Sequence, residues 1–441
     1  MHARISSKKN KMNTIFAPIN NHVNSSVCTI RISGSNIFAV SKFIPNITKI
    51  EHRKAMRVKI LDDNSQQIDD AIALFFKNPQ SFTGEHILEI SLHSSSFIVS
   101  KFLSLLGSLP NFAFAKNGEF CMRAVQNGKI SLTQAEGINK LILSQSLVQH
   151  KLAMNELNGI CKDYYEKIKQ DITKIIALLE TFIDFSEEEA ISFEFLAKIE
   201  EIRQKLVENL QKTIKFSQKK ENVDIQIAIL GKPNVGKSSL FNAITESSDA
   251  IVSQIAGTTR DAIRKTVNIL GFKVEFIDTA GIRNSNDEIE QIGIERAKEI
   301  AKKADVILIL KEFESDEIEI EDFSGTIITV FTKSDIHPQR QCETDFVNIS
   351  QENFTTLERR IHDILTEQMS QMQSVGFSCN ERQKSILIST QSILEKADLS
   401  LPVELLSEQF RLALHNISHL VGEINNEDIL GEIFSSFCIG K

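Results

Sequence analysis

The chain has 441 residues, of which 41% are hydrophobic and 24% charged, and a formal net charge of −8. That length exceeds a single core and implies two to four domains, while the acidic balance argues against a protein that coats nucleic acid by bulk electrostatics, so any RNA contact would be local or assisted by a partner. No apolar run approaches the roughly 18 residues needed to cross a bilayer, and the six scattered cysteines (Cys28, Cys121, Cys161, Cys342, Cys379 and Cys438) include no CxxC pair, which indicates neither a zinc site nor a disulfide framework and fits a reducing cytoplasm.

The N-terminal stretch MHARISSKKNK is basic with no apolar region behind it, so it is not a secretory signal. Residues 1–12 read as a disordered tail or as an artefact of start-site choice, since Met12 opens a more strand-like segment. Residues 13–125 read as a mixed α+β domain, with CTIRIS and AIALFF as strands and a partly alternating TGEHILEISLH. Over 126–222 the pattern is helical: LTQAEGINKLILSQ, YYEKIKQDITKIIALLETFI and FLAKIEEIRQKLVENLQKTI carry apolar residues at three- and four-residue spacing. From Val223 to Gln368 the strand-like runs IQIAIL, KVEFID, DVILIL and TIITVF alternate with helical stretches, which predicts a doubly wound, mostly parallel sheet with crossover helices. Residues 369–441 are helical again. The expected architecture is multidomain α/β and α: an α/β domain inserted between the two sequence halves of a helical domain.

Gly231-Lys232-Pro233-Asn234-Val235-Gly236-Lys237-Ser238 fits G-x-x-x-x-G-K-[ST] and lies between an apolar strand and the helical run SSLFNAI that begins at Ser238, the context that makes this motif a phosphate loop. Its glycines let backbone N–H groups turn inward around phosphates, and the helix N-terminus adds its positive dipole end. Lys237 would reach the β- and γ-phosphates and Ser238 would ligate Mg²⁺. Asp278-Thr279-Ala280-Gly281 ends the strand KVEFI, placing Asp278 to hold Mg²⁺ through water and the Gly281 N–H to face the γ-phosphate. Thr332-Lys333-Ser334-Asp335 ends TIITVF. A carboxylate at Asp335 can accept two hydrogen bonds from the guanine edge, which adenine does not offer, so the motif points to GTP. Thr332 stands where this motif ordinarily has Asn. Gly257-Thr258-Thr259-Arg260-Asp261 is a candidate switch loop. Ile282 occupies the position after DTAG where many small GTPases carry a water-orienting Gln, so hydrolysis is either very slow or assisted by another residue or a cation.

GKPNVGKSS, AIVSQIAGTTRDAIR, FIDTAGIR, EIEQIGIERA and the C-terminal IFSSFCIGK, together with RISG, SFTGE, NGEF and IDFSEEE, make the chain resemble the tRNA-modification GTPase family MnmE, also called TrmE, within the TrmE-Era-like GTPases. The resemblance runs from Asn13 to Lys441. It implies a homodimer formed through the N-terminal domain, an FAD-containing MnmG (GidA) partner, wobble-uridine (U34) modification of tRNA, a tetrahydrofolate derivative as one-carbon donor, and K⁺-assisted hydrolysis. By resemblance, Asn234, Ser253, Ile255 and Thr258 match the K⁺ ligands, and Thr259 joins Ser238 on Mg²⁺. Val235, Ser239, Gln254, Ala256 and Ser350 join the GTP contacts, and Glu290 matches the residue that orients the attacking water. A K⁺ beside the phosphates would neutralise transition-state charge as an arginine finger does. Arg31, Glu89, Lys129 and Lys441 match the folate contacts.

The chain departs from the family at Asn21–Ser26 and His93–Ser96, where Gly-rich tracts are usual, and at Ser350-Gln351, where Ser-Ala is usual. Cys438 reads either as a thiolate that acts on a uridine ring or one-carbon adduct or as a small apolar residue near the terminus. Two other classes share the GTPase module: an RNA- or ribosome-associated regulatory switch, and a chain that keeps the fold without folate chemistry.

Overall fold

The computed structural model describes residues 13–20, 25–184, 192–216, 225–232, 234–247, 263–269, 271–278, 299, 302, 304–312, 323, 325–333, 346–348, 357, 359–367, 376–421, 427–435, 437 and 439–440. The chain divides into two compact units, one of residues 1–139, 162–169 and 414–441, the other of residues 140–161 and 170–413. The strands are β1 (Thr14–Pro18), β2 (Val27–Ser33), β3 (Ala55–Leu61), β4 (Gln67–Phe76), β5 (Ile87–His93), β6 (Phe112–Phe114), β7 (Ile225–Gly231), β8 (Ile263–Ile269), β9 (Phe272–Asp278), β10 (Val306–Lys311), β11 (Thr326–Phe331) and β12 (Phe346–Asn348). The helices are α1 (Ser96–Gly107), α2 (Glu119–Gln126), α3 (Leu132–Leu143), α4 (Leu147–Leu157), α5 (Ile160–Asp184), α6 (Ser192–Phe216), α7 (Lys237–Ser247), α8 (Glu381–Lys396), α9 (Val403–Val421) and α10 (Glu427–Ser435); residues 359–367 are helical as well.

In the first unit a mixed sheet runs β3-β4-β5-β2-β1-β6. Strict alternation sends Cys28, Ile30 and Ile32 of β2 and Leu88, Ile90 and Leu92 of β5 to one face, because a strand's side chains point alternately up and down. That face is covered by α1, whose Val99, Phe102, Leu105 and Leu106 recur at helical spacing. The opposite face carries Thr29 and Arg31 of β2 beside Ser91 and Glu89 of β5. A second core in this unit joins Cys121 of α2 and Leu132 and Ala135 of α3 to Leu430 and Phe434 of α10 and to Phe437. The end of the chain is thereby folded against the N-terminal domain. Gly440 (φ +91°) approaches β1 so closely that a Cβ there would sit 2.2 Å from the Pro18 carbonyl oxygen.

In the second unit the sheet order is β12-β11-β10-β7-β9-β8. Every pairing is parallel except the β8–β9 hairpin. Both faces are buried: Ile225, Ile227 and Ile229 of β7 look into one core and Ala228 and Leu230 into another. This is why β10 reads as a near-continuous apolar run, and β7 as one interrupted by the buried Gln226, rather than as alternating strands. In the same unit, α6 and α8 are tied by Arg203, which donates to the Leu394 carbonyl (2.8 Å) and forks onto Glu200; the guanidinium holds the Glu200 carboxyl below its ordinary value. An Asn380–Gln383 capping box starts α8.

The helix α4 joins the flanking segments to the sheet. Glu156 is fully buried; its Oε1 accepts from Lys140 Nζ (2.7 Å) and from the Ser378 N–H (3.3 Å), while Asn155 donates to the Gly376 carbonyl (2.7 Å). The opposite end of α4 rests on the β8–β9 hairpin. The Leu147 N–H donates to the Gly271 carbonyl (2.7 Å), Lys273 Nζ donates to Gln145 Oε1 (2.6 Å), and Val148 shares a core with Val267, Phe272 and Val274. The hairpin was not legible as such: the run IRKTVNI looks unremarkable until Gly271 turns it back along β9.

Gly271 has φ +82°, and a Cβ there would lie 2.6 Å from Leu147 Cβ. Gly271→Ala is therefore expected to destabilise the α/β module by about 2 kcal/mol, through left-handed backbone strain and the clash with α4. Calorimetric unfolding of the full chain reads this as a lowered transition temperature.

Candidate functional site

The nucleotide-type site grows from sheet topology. β7, β9, β10 and β11 run parallel, with Asp278 opposite Ile229, Gly231 opposite Leu310, and Lys311 opposite Phe331. The loop after β7, the acidic end of β9 and the turn after β11 therefore emerge at one edge. In open α/β sheets this carboxyl edge holds the ligand crevice, at the point where strand order reverses. Here that point lies between β7 and β10, directly under the glycine-rich loop.

Within the loop, Asn234 takes φ +63° and Gly236 φ +100°. Left-handed residues of this kind turn successive N–H groups to one side and make an anion-accepting concavity. Val235, buried in the sheet core, anchors the loop from below. Lys237 opens α7 and is only 7% exposed; its ammonium donates to the Gly231 and Lys232 carbonyls across the loop. Ser238 and Ser239 stand exposed on the first turn of the helix, where its unpaired N–H groups and positive dipole end lie. Asp278 is 2% exposed at the mouth of β9. Thr332 is buried, and Lys333 follows with φ +59°.

Asn234, Val235, Gly236, Lys237, Ser238, Ser239, Asp278, Thr332 and Lys333 are thus brought to one edge. Ser253, Gln254, Ile255, Ala256, Gly257, Thr258, Thr259, Thr279, Ala280, Gly281, Glu290, Ser334, Asp335 and Ser350 lie outside the described residues, as do Cys438 and Lys441.

A second constellation sits on the first unit's sheet. Arg31 and Glu89 are register partners on β2 and β5, and Arg31 Nε donates to Glu89 Oε1 (2.9 Å). Their side chains are 19% and 20% exposed, so they form a half-buried pair rather than loose surface charges. The Arg31 guanidinium lies 5.5 Å from the ring centroids of both Phe82 and Phe120, a distance at which a cation is attracted to an aromatic face. Phe82 belongs to a loop secured by Arg123, which is 3% exposed. Arg123 donates to Glu85 (3.1 Å) and Glu119 (2.8 Å), and Glu85 also accepts from Ser33 (2.7 Å). Lys129, just past α2, donates to the Pro79 carbonyl (2.9 Å).

Sequence reading singled out Arg31, Glu89 and Lys129 but not Phe82, Phe120, Glu85, Glu119 or Arg123. The SFTGE and NGEF segments contained the signal, but which of their residues meet Arg31 depends on loop closure. The described cysteines Cys28, Cys121, Cys161 and Cys379 are buried. Burial pushes the Cys28 thiol up, away from the thiolate form a nucleophile needs.

A parallel sheet with a phosphate-type loop at its switch point, in a chain that also carries a mixed N-terminal sheet and helical segments, defines a P-loop GTPase of multidomain build. Comparison with known proteins narrows the class. Residues 14–129 match the family model described as GTP-binding protein TrmE N-terminus, and residues 132–438 match the MnmE helical domain. The chain is 34% identical to a tRNA modification GTPase MnmE of Ehrlichia chaffeensis over 98% of this chain and 100% of that protein. It is 35% identical to one of Rickettsia bellii over the same shares, and 34% identical to one of Dinoroseobacter shibae, again over 98% and 100%. The chain belongs to the MnmE family of tRNA modification GTPases.

Lys237→Ala removes the one ammonium held inside the loop. GDP binding is expected to weaken by about a hundredfold or more, read by isothermal titration, while circular dichroism stays that of the parent chain.

Proposed function

We propose that this chain hydrolyses GTP and couples turnover to the modification of wobble uridine (U34) in tRNA, adding a carboxymethylaminomethyl-type group at C5 together with an FAD-containing MnmG (GidA)-like partner in the cytoplasm. The observation that carries the GTPase reading is the Asn234–Gly236 concavity closed by Lys237 at the switch point of a parallel sheet. Family membership over nearly the whole chain supports the tRNA-modification role. Among the described residues, no helix is long and apolar enough to cross a membrane.

In this reading the loop N–H groups and Lys237 bind the phosphates, and Asp335 selects guanine. Ser238 and Thr259 hold Mg²⁺, with Asp278 behind its water. Asn234, Ser253, Ile255 and Thr258 hold K⁺, which supplies positive charge to the transferring phosphoryl group. The exposed Asn234 on a left-handed turn suits a cation ligand. Glu290 orients the attacking water, taking the part that Ile282 lacks.

For the folate derivative, the half-buried Arg31–Glu89 pair, its guanidinium set against Phe82 and Phe120, offers a carboxylate that accepts pterin N–H groups and a guanidinium for a glutamate tail. Lys129 and Lys441 add positive charge, and Gly440 brings the C-terminus to β1 beside this domain. A homodimer formed through the N-terminal domain belongs to the same reading.

Two measurements test this. GTP hydrolysis at fixed ionic strength should run about tenfold or more faster in K⁺ than in Na⁺; equal rates in both ions would remove the cation role of Asn234. Calorimetry with tetrahydrofolate should show binding that Arg31→Ala abolishes while GDP binding is unchanged. No heat with the parent chain would sink the folate reading and leave the GTPase one standing.

A further inference from the structure

The turn after β11 is built differently from the motif it represents. Thr332 stands in place of Asn, and both its N–H (3.0 Å) and its hydroxyl (3.4 Å) go to the Lys311 carbonyl. Its methyl faces the phosphate-type loop: a Cβ on Gly236 would lie 3.8 Å from Thr332 Cγ2. Lys333 then adopts φ +59°, a left-handed conformation that a long side chain keeps only where its surroundings hold it.

The surroundings supply one anchor. Glu312 follows β10 directly, and its Oε2 lies 2.7 Å from Lys333 Nζ. The pair spans 21 residues and arises because β10 and β11 are parallel and in register, with Lys311 opposite Phe331. Glu312 and Lys333 therefore leave the sheet side by side. Their side chains are 27% and 36% exposed, so the pair is neither deeply buried nor loose in solvent.

We infer that Glu312 is a positioning residue for recognition of the purine base. It acts through Lys333, fixing the side chain and the left-handed backbone of the second residue of the base-reading motif. The inference rests on the guanine-reading role proposed for Asp335. It commits to a role in binding rather than in phosphoryl transfer, because Glu312 follows β10 and pairs with the motif residue that follows β11, and lies neither at the end of β9 nor on the first turn of α7.

The test uses the full chain. Glu312→Gln is expected to bind GDP about fourfold more weakly at low salt, the scale of a partly exposed ion pair, and the difference should shrink at high salt as the charges are screened. At saturating GTP, kcat should stay within about twofold of the parent, since the interaction is equal in ground and transition states. Glu312→Asp, which keeps the charge, should recover much of the lost affinity. GDP binding by Glu312→Gln equal to the parent at both salts would overturn the inference, as would a Glu312→Asp variant that binds GDP no better than Glu312→Gln. Asp335→Asn separates the two readings. It should move preference from GTP to xanthosine triphosphate; if it does and Glu312→Gln binds normally, only the role of Glu312 falls. An unchanged base preference in Asp335→Asn would instead remove the base-reading turn itself.

Discussion

The parallel pairing of β7 with β10 on one side and β9 on the other is the constraint on which the nucleotide site depends. Three segments far apart in sequence, the loop after Gly231, the carboxylate of Asp278 and the turn at Thr332, reach one edge because these strands share direction and register. The strands hold that register because both sheet faces are buried: a shift of one residue would exchange the Ile225–Ile227–Ile229 face with the Ala228–Leu230 face and mismatch both cores. Hydrophobic packing thus sets the position of polar groups that contribute little to stability themselves.

The same sheet connects mechanically to its surroundings. β9 has Asp278 at one end and the Gly271 turn at the other, and that turn is docked on α4 by a backbone hydrogen bond, a side-chain hydrogen bond and shared core residues. At its far end α4 is clasped by Glu156 and Asn155 to the segment leading into α8. β9 thus carries the candidate metal-side carboxylate at one end and a helix contact at the other.

The N-terminal constellation follows a different logic. Arg31 and Glu89 meet because they are cross-strand partners on the open face of an antiparallel pair, where opposite charges stabilise the register. The buried Arg123–Glu85–Glu119 cluster then fixes the loops that bring Phe82 and Phe120 to the guanidinium. A charged, hydrogen-bonded cluster of this kind is costly to leave half-satisfied, and it holds the loops to one arrangement. Beside it, the loss of glycines at His93–Ser96 leaves the strand intact, since Ser95 and Ser96 simply start α1.

The sequence by itself determined the α/β insertion, the phosphate-type loop and the family, because these rest on local periodicity and on motifs whose residues are contiguous. Gly236, Lys237 and Ser238 could be placed in a turn and at a helix start from spacing alone, since both lie within one short segment. Tertiary structure alone decided which distant residues meet: Glu312 with Lys333, Gly271 with Leu147, Arg31 with Phe82 and Phe120, and the C-terminal Gly440 with Pro18. None of these pairs has a sequence period, because each contact is created by strand register or by loop closure, and those are consequences of burying the two cores rather than of any local preference.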